Sequence, residues 1–139
     1  MFRSRRYGAI AGAVVMWLCS VLVVPAAGAR DLPTDGQCKA LENPDTVIKG
    51  WCTAINRTKG NCLACHIMPI ESWPQSLPPG GNIGPPLIGM SQRFDQERLR
   101  IQVWDAMQVN PHSVMPPFGR NEILTEEEID NIVEFLLTI

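Results

Sequence analysis

The sequence predicts an all-α domain of three to four short helices. Three observations predict it. Apolar residues recur at helical spacing in three separate segments, around Trp51, Val103 and Ile132. Each segment carries a helix-start signal: Asn43-Pro44-Asp45, Asp95, and Thr125 followed three residues later by Glu128. Between the first two segments, Ile67 to Met90 holds so many prolines and glycines that no regular element survives there. A long structureless loop in so short a chain is uncommon unless it wraps something.

The object to wrap is announced by Cys62-Leu63-Ala64-Cys65-His66. This C-x-x-C-H spacing is that of covalent c-type haem attachment. Two intervening residues bring both sulfurs to one edge of a porphyrin, where they add across its vinyl groups. A histidine next to the second cysteine swings its imidazole under the ring, with Nε2 toward the iron. The competing reading is half of a zinc site, which would want further cysteines or histidines at ligand spacing. After Cys65 there is no cysteine, and His112 is the one remaining histidine. The expected architecture is therefore three to four helices wrapped around one covalently attached haem c. The haem's apolar surface would also compensate for a small core.

Residues 1–29 read as a cleaved secretory signal. Arg3, Arg5 and Arg6 form a basic start, Ile10 to Val24 an apolar run, and Ala27-Gly28-Ala29 a small-residue cleavage site. An uncleaved anchor is the rival, although the run is short for a spanning helix. Tyr7-Gly8-Ala9 matches a twin-arginine signal poorly, and Cys19 leaves with the leader. Cleavage before Arg30 leaves 9 basic and 14 acidic residues, a net of −5 against −2 for the whole chain. A mildly acidic domain is not a nucleic-acid binder by bulk electrostatics. Export implies an oxidising compartment, most simply a bacterial periplasm, with no membrane span after cleavage.

Residues 30–43 read as a polar, turn-rich N-terminal arm containing Cys38, and residues 44–139 as the haem domain. Asn43 caps a helix expected over 45–58, with Val47, Ile48, Trp51 and Ile55 on one face. Gly50 inside it costs about 1 kcal/mol against alanine, and would allow another helix to approach closely. Once haem has taken Cys62 and Cys65, Cys38 and Cys52 remain. In an oxidising compartment they are expected as a disulfide clamping the arm to the first helix, the alternative being two independent thiols. Trp73, in the proline-rich loop, could pack on the porphyrin or sit at the surface. A second helix is expected over 91–108, with Leu99, Val103, Trp104 and Met107 on its apolar stripe, and Asn110-Pro111 stopping it. Arg93, Arg98 and Arg100 would decorate its solvent side or reach the haem propionates. The last helix starts at the Thr125–Glu128 capping box, carries Ile129, Ile132, Val133 and Leu136, and runs to Ile139.

The iron needs a second axial ligand or an open position. Met68 is too close to His66 to cross to the other face, Met107 falls on an apolar stripe, and Met90 is a weak possibility. Met115 lies in the proline-stiffened loop Ser113-Val114-Met115-Pro116-Pro117-Phe118-Gly119, where the chain can return over the opposite face. It is the expected ligand, with His112 as rival. A thioether favours ferrous iron and raises the potential. His66 should donate Nδ1–H to a carbonyl, and the candidate is that of Pro85 in Gly84-Pro85-Pro86-Leu87-Ile88-Gly89.

From Pro44 onward, the order helix, C-x-x-C-H, G-P loop, helix, methionine loop, helix resembles the class I cytochromes c. More specifically, Lys59 to His66, Asn82 to Leu87, and Asn110-Pro111 through Met115-Pro116-Pro117-Phe118-Gly119 into Ile123-Leu124-Thr125 resemble SoxX, the mono-haem subunits of SoxAX cytochromes. The resemblance implies a partner, SoxA, whose own haem reacts as thiosulfate is joined oxidatively to a cysteine of the carrier SoxYZ. It implies that this chain is the non-catalytic electron-transfer subunit of an L-cysteine S-thiosulfotransferase complex, passing electrons to an acceptor such as a small cytochrome c. Carried over, Cys62 and Cys65 are attachment sites, His66 the proximal ligand and Met115 the distal one. With four cysteines consumed, no thiol would remain for a covalent sulfur intermediate, and a six-coordinate iron leaves no substrate position. The alternatives are a free-standing periplasmic electron shuttle and a haem protein with a labile site, such as a gas sensor.

Overall fold

The computed structural model describes residues 31–139; the expected signal segment lies outside the described residues. Among the described residues five α-helices carry the fold: α1 (Asp35–Cys38), α2 (Thr46–Ile55), α3 (Met90–Arg93), α4 (Gln96–Asp105) and α5 (Glu126–Leu136). Short 3₁₀ turns cover Cys62–Ala64 and Ala106–Gln108. No strand occurs among the described residues, so the expected all-α class is borne out.

The helix boundaries differ from those expected, and side-chain hydrogen bonds explain why. Helix α2 is capped by Asp45, not Asn43: the Asp45 carboxylate accepts from Ile48 N at 2.9 Å. Asn43 instead takes a left-handed turn at φ 51°. The helix stops at Ile55 because Asn56 Oδ1 accepts from Thr58 N, a local turn that competes with another helical turn. The expected 91–108 helix is two helices. Phe94 is extended, and Asp95 restarts the chain by accepting from Arg98 N at 2.8 Å. The arm holds a helix not anticipated: Thr34 and Gln37 form a reciprocal capping box that starts α1. Helix α5 begins as expected, with Thr125 N donating to Glu128 Oε2 and Glu128 N donating to Thr125 Oγ1. It ends at Leu136, before the final three residues.

The core forms where α2 crosses α5. Trp51, Ala54, Ile129, Ile132, Val133 and Phe135 are all at most 1% exposed there. Gly50 permits the crossing: a Cβ at that position would lie 1.9 Å from Asn131 O. Trp51 is the hub. Its ring meets Phe135 edge-on at 5.4 Å and Trp73 at 5.8 Å, and its Nε1 donates to Pro33 O. Trp73 thus belongs neither to the surface nor to the large cavity described below; it closes the core from the proline-rich loop, with Nε1 donating to Leu77 O.

Covalent and ionic ties hold the periphery. Cys38 and Cys52 are disulfide-bonded, fastening α1 to α2. Arg100 on α4 pairs with Glu126 and Asp130 on α5. This accounts for Arg100 as a helix–helix tie rather than an unpaired solvent residue. Lys59 Nζ reaches Glu128 Oε1 at 2.6 Å, anchoring the approach to Cys62 on the start of α5.

Candidate haem site

The C-x-x-C-H segment is built by backbone geometry. Asn61 adopts a left-handed conformation at φ 45°, which turns the chain into the 3₁₀ segment Cys62–Ala64. His66 N then donates to Cys62 O at 2.9 Å, closing one tight turn around the two thiols. Gly60 allows that turn to press on α2, since a Cβ there would meet Thr53 O at 2.7 Å. Cys62, Cys65 and His66 consequently line one cavity of about 760 Å3.

The segment from Gly81 to Leu87 forms the wall behind His66. Gly81 N donates to Leu63 O, Gly84 N to Cys65 O and Leu87 N to Ile67 O, at 2.8, 2.8 and 2.9 Å. This lacing brings Pro85 O to 2.7 Å from His66 Nδ1. A carbonyl can only accept, so Nδ1 carries the proton and Nε2 keeps its lone pair. Gly84 packs against the ring face itself: a Cβ would lie 2.3 Å from His66 Cε1.

The far wall comes from the loop between α4 and α5. Met115 is half-buried and lines the same cavity, its N–H donating to Ser113 Oγ at 3.2 Å. His112 lies on the rim and is exposed. Met90 also lines the cavity, whereas the buried Met68 and the half-buried Met107 do not. Leu99 and Val103 of α4 and Ile132 and Leu136 of α5 provide an apolar surface between the two walls.

The residues present fit a haem. Two thiols, an imidazole with a free Nε2 and a thioether share a cavity of a size suited to a cofactor, roughly 300–1,000 Å3. Burial pushes the Cys62 thiol up to about 12, with the neighbouring Cys65 adding to the rise against a hydrogen bond from its own backbone. Among the described residues no three His, Cys, Asp or Glu side chains gather into a metal-binding group. Sequence reasoning named Arg93 as a candidate for the propionates but missed Arg57 and Lys59. The charged residues lining the cavity are Arg57, Lys59 and Arg93, all cationic, and no Asp or Glu joins them. Arg57 had a signal, since it lies five residues before the attachment motif.

Fold and cavity together define the class: an all-α domain shaped to hold a covalently attached haem. A family profile described as "Cytochrome c" matches residues 56–139, and the chain belongs to that family of haem c electron-transfer proteins. Among solved structures it is similar to SoxXA from P. pantotrophus, at 28% identity and a TM-score of 0.59, over 69% of this chain and 82% of that one. The resemblance to SoxX-type cytochromes expected from the sequence is thereby borne out. A curated relative is an "uncharacterized lipoprotein" of Aquifex aeolicus (strain VF5), 37% identical over 79 residues. The match spans 56% of this chain but only 36% of that protein.

Proposed function

We propose that the protein is the electron-transfer subunit of a SoxAX-type complex in the bacterial periplasm, exported by residues 1–29 and carrying one haem c. In this reading residues 30–43 are the arm and residues 44–139 the haem domain. Cys62 and Cys65 would form the thioether links, and His66 and Met115 would hold the iron. The haem, when bound, supplies a one-electron couple whose potential its ligands and surroundings set. The chain's own residues do the rest. Pro85 O orients His66 and fixes its ring by accepting from Nδ1. Leu99, Val103, Ile132 and Leu136 exclude water, and a dry surround shifts the potential. The doubled prolines Pro85-Pro86 and Pro116-Pro117 stiffen both ligand-bearing loops, so that little has to move when the charge changes.

The observation that carries the reading is the meeting of Cys62, Cys65, His66 and Met115 on a single apolar cavity. The disulfide adds to it. With Cys38 and Cys52 bonded, the free thiols among the described residues are those two attachment cysteines. A covalent sulfur intermediate would then have to form on a partner. The reading makes that partner a SoxA-type subunit, with SoxYZ reached through the complex and a small cytochrome c accepting the electrons. The likeness to SoxXA favours the complex over a free-standing shuttle.

Purification from native periplasm tests it. A SoxA-type haem subunit should co-elute, and thiosulfate with SoxYZ should reduce this chain's haem only in that partner's presence. A protein that elutes alone and fails to bind such a subunit would be a shuttle. Rapid, tight binding of carbon monoxide or cyanide to the resting protein would point instead to an open site.

A further inference from the structure

Met115 stands within a loop whose two ends are locked together at its base. Helix α4 ends at Asp105, and the chain runs out through the cavity wall and returns at Arg120. There Arg120 Nη1 lies 2.9 Å from Asp105 Oδ2. The Asp105 side chain is 4% exposed, against 47% for Arg120. Asp105 Oδ1 also accepts from Met107 N at 3.1 Å, so one carboxylate grips both the outgoing and the returning strand of the loop. Trp104 reinforces the grip. Its carbonyl accepts from Gly119 N and Arg120 N at 3.0 and 3.3 Å, and its indole lies where a Cβ on Gly119 would be, 1.9 Å from Cδ1. Trp104 Nε1 in turn donates to Glu126 Oε1 at the start of α5. The span from 106 to 119 has the closed ends of a compact Ω-loop, with Ala106 and Phe118 buried near its two ends.

Burying a carboxylate is costly, and replacing a buried ion pair by apolar residues of similar size is often neutral or stabilising, so stability alone is a weak reason for this pair. An ion pair instead fixes direction and register. We propose that Asp105 and Arg120 are positioning residues for Met115: by closing the loop they hold its thioether over the cavity and resist its displacement from the iron. This rests on Met115 being the distal ligand.

The test uses ferric holoprotein and competition by imidazole, read from loss of the weak red thioether-to-iron band. Arg120→Gln and Asp105→Asn are each expected to raise imidazole affinity by about tenfold, and the double variant by little more than either alone. Arg120→Lys, which keeps the charge and loses the planar fork, should fall between them and the parent. Asp130→Asn is the control. It breaks the Arg100–Asp130 tie between α4 and α5, leaves Glu126 to Trp104, and should leave imidazole affinity within about twofold. Unchanged affinity in both latch variants, or an equal rise in Asp130→Asn, would overturn the proposal. If Arg120→Gln does not fold, Arg120→Lys decides by the same comparison. The two readings fail distinguishably. A parent protein without the red band, or a Met115→Leu variant that keeps it, removes the ligand reading and this proposal with it. A parent band that Met115→Leu abolishes, with imidazole affinity indifferent to the latch, removes only the proposal.

Discussion

Replacing Gly50 with alanine opposes two effects of known sign. Alanine favours the helical conformation of α2 by about 1 kcal/mol over glycine. Against this, its Cβ would lie 1.9 Å from Asn131 O, 2.5 Å from Asn131 C and 2.9 Å from Phe135 Cβ. Two of those atoms are backbone of α5 and cannot rotate away. Restoring ordinary contact at 3.4 Å requires the helices to part by about 1.5 Å along that line. Even a 0.5–1 Å gap forfeits roughly a quarter to a half of a dispersion contact. The seam that would open includes Trp51, Ile129, Ile132 and Phe135, all at most 1% exposed. Overpacking of this kind costs about 1–3 kcal/mol, and the backbone obstacle points to the upper end. After the propensity gain, the expected net loss is about 2 kcal/mol, or roughly 10 °C in Tm for a domain of this size. Guanidinium titration of the ferric holoprotein, followed by far-UV circular dichroism, measures it. A midpoint at or above the parent's would mean that helix propensity wins and that the crossing does not depend on glycine.

Three other perturbations have expected outcomes. Converting both Cys38 and Cys52 to alanine opens a closure between residues 14 apart and should cost about 3 kcal/mol in urea, a cost that dithiothreitol should reproduce in the parent; equal midpoints would show that the clamp adds nothing. Gly84→Ala drives a methyl into the His66 ring, 2.3 Å from Cε1, and should lower the yield of correctly ligated haem per chain, read by pyridine haemochrome and the ferric spectrum; an unaltered yield and spectrum would refute the close packing. For Glu128, burial pushes the carboxyl up, but hydrogen bonds from Lys59 and from Thr125 N outweigh it and hold the group below its usual range. A carboxylate depressed on folding stabilises above its unfolded pKa of about 4.3 and loses that contribution as pH falls through the lower folded value. The stability gap between parent and Glu128→Gln should therefore be constant near neutrality and shrink below about pH 4; a gap that persists into acid would argue against the depressed carboxyl.

Local signals in the sequence were readable where the structure uses local bonds. The attachment motif is contiguous, and the Thr125–Glu128 box forms both of its hydrogen bonds. The same pattern at Thr34 and Gln37 escaped notice because no apolar run follows it to suggest a helix. Asn43 and Asp45 are both good caps, and the choice fell to Asp45 through a bond to Ile48 N that composition does not distinguish. The helix expected over 91–108 drew its apolar stripe from Leu99 onward, so nothing in it marked Phe94 as extended even though Asp95 had been noted as a cap. Partners distant in sequence were out of reach altogether. Nothing in the neighbourhood of Trp73 marks Trp51 as its contact, and nothing beside Asp105 points to Arg120.

The crossing of α2 and α5 also decides when the molecule can close. Its two halves lie at opposite ends of the described chain, with the attachment motif, the His66 wall and the Met115 loop strung between them. Contacts so remote in sequence exact their loop-closure entropy before they return any burial, and they form late and slowly. A nascent chain that has not yet released α5 has Trp51 and Gly50 waiting for a surface that does not exist. During that interval Cys62 and Cys65 belong to an unclosed loop, open to whatever chemistry must reach them. Helix α5 thus supplies its half of the core only after the whole site segment has been made, and the order of synthesis becomes part of how the site is completed.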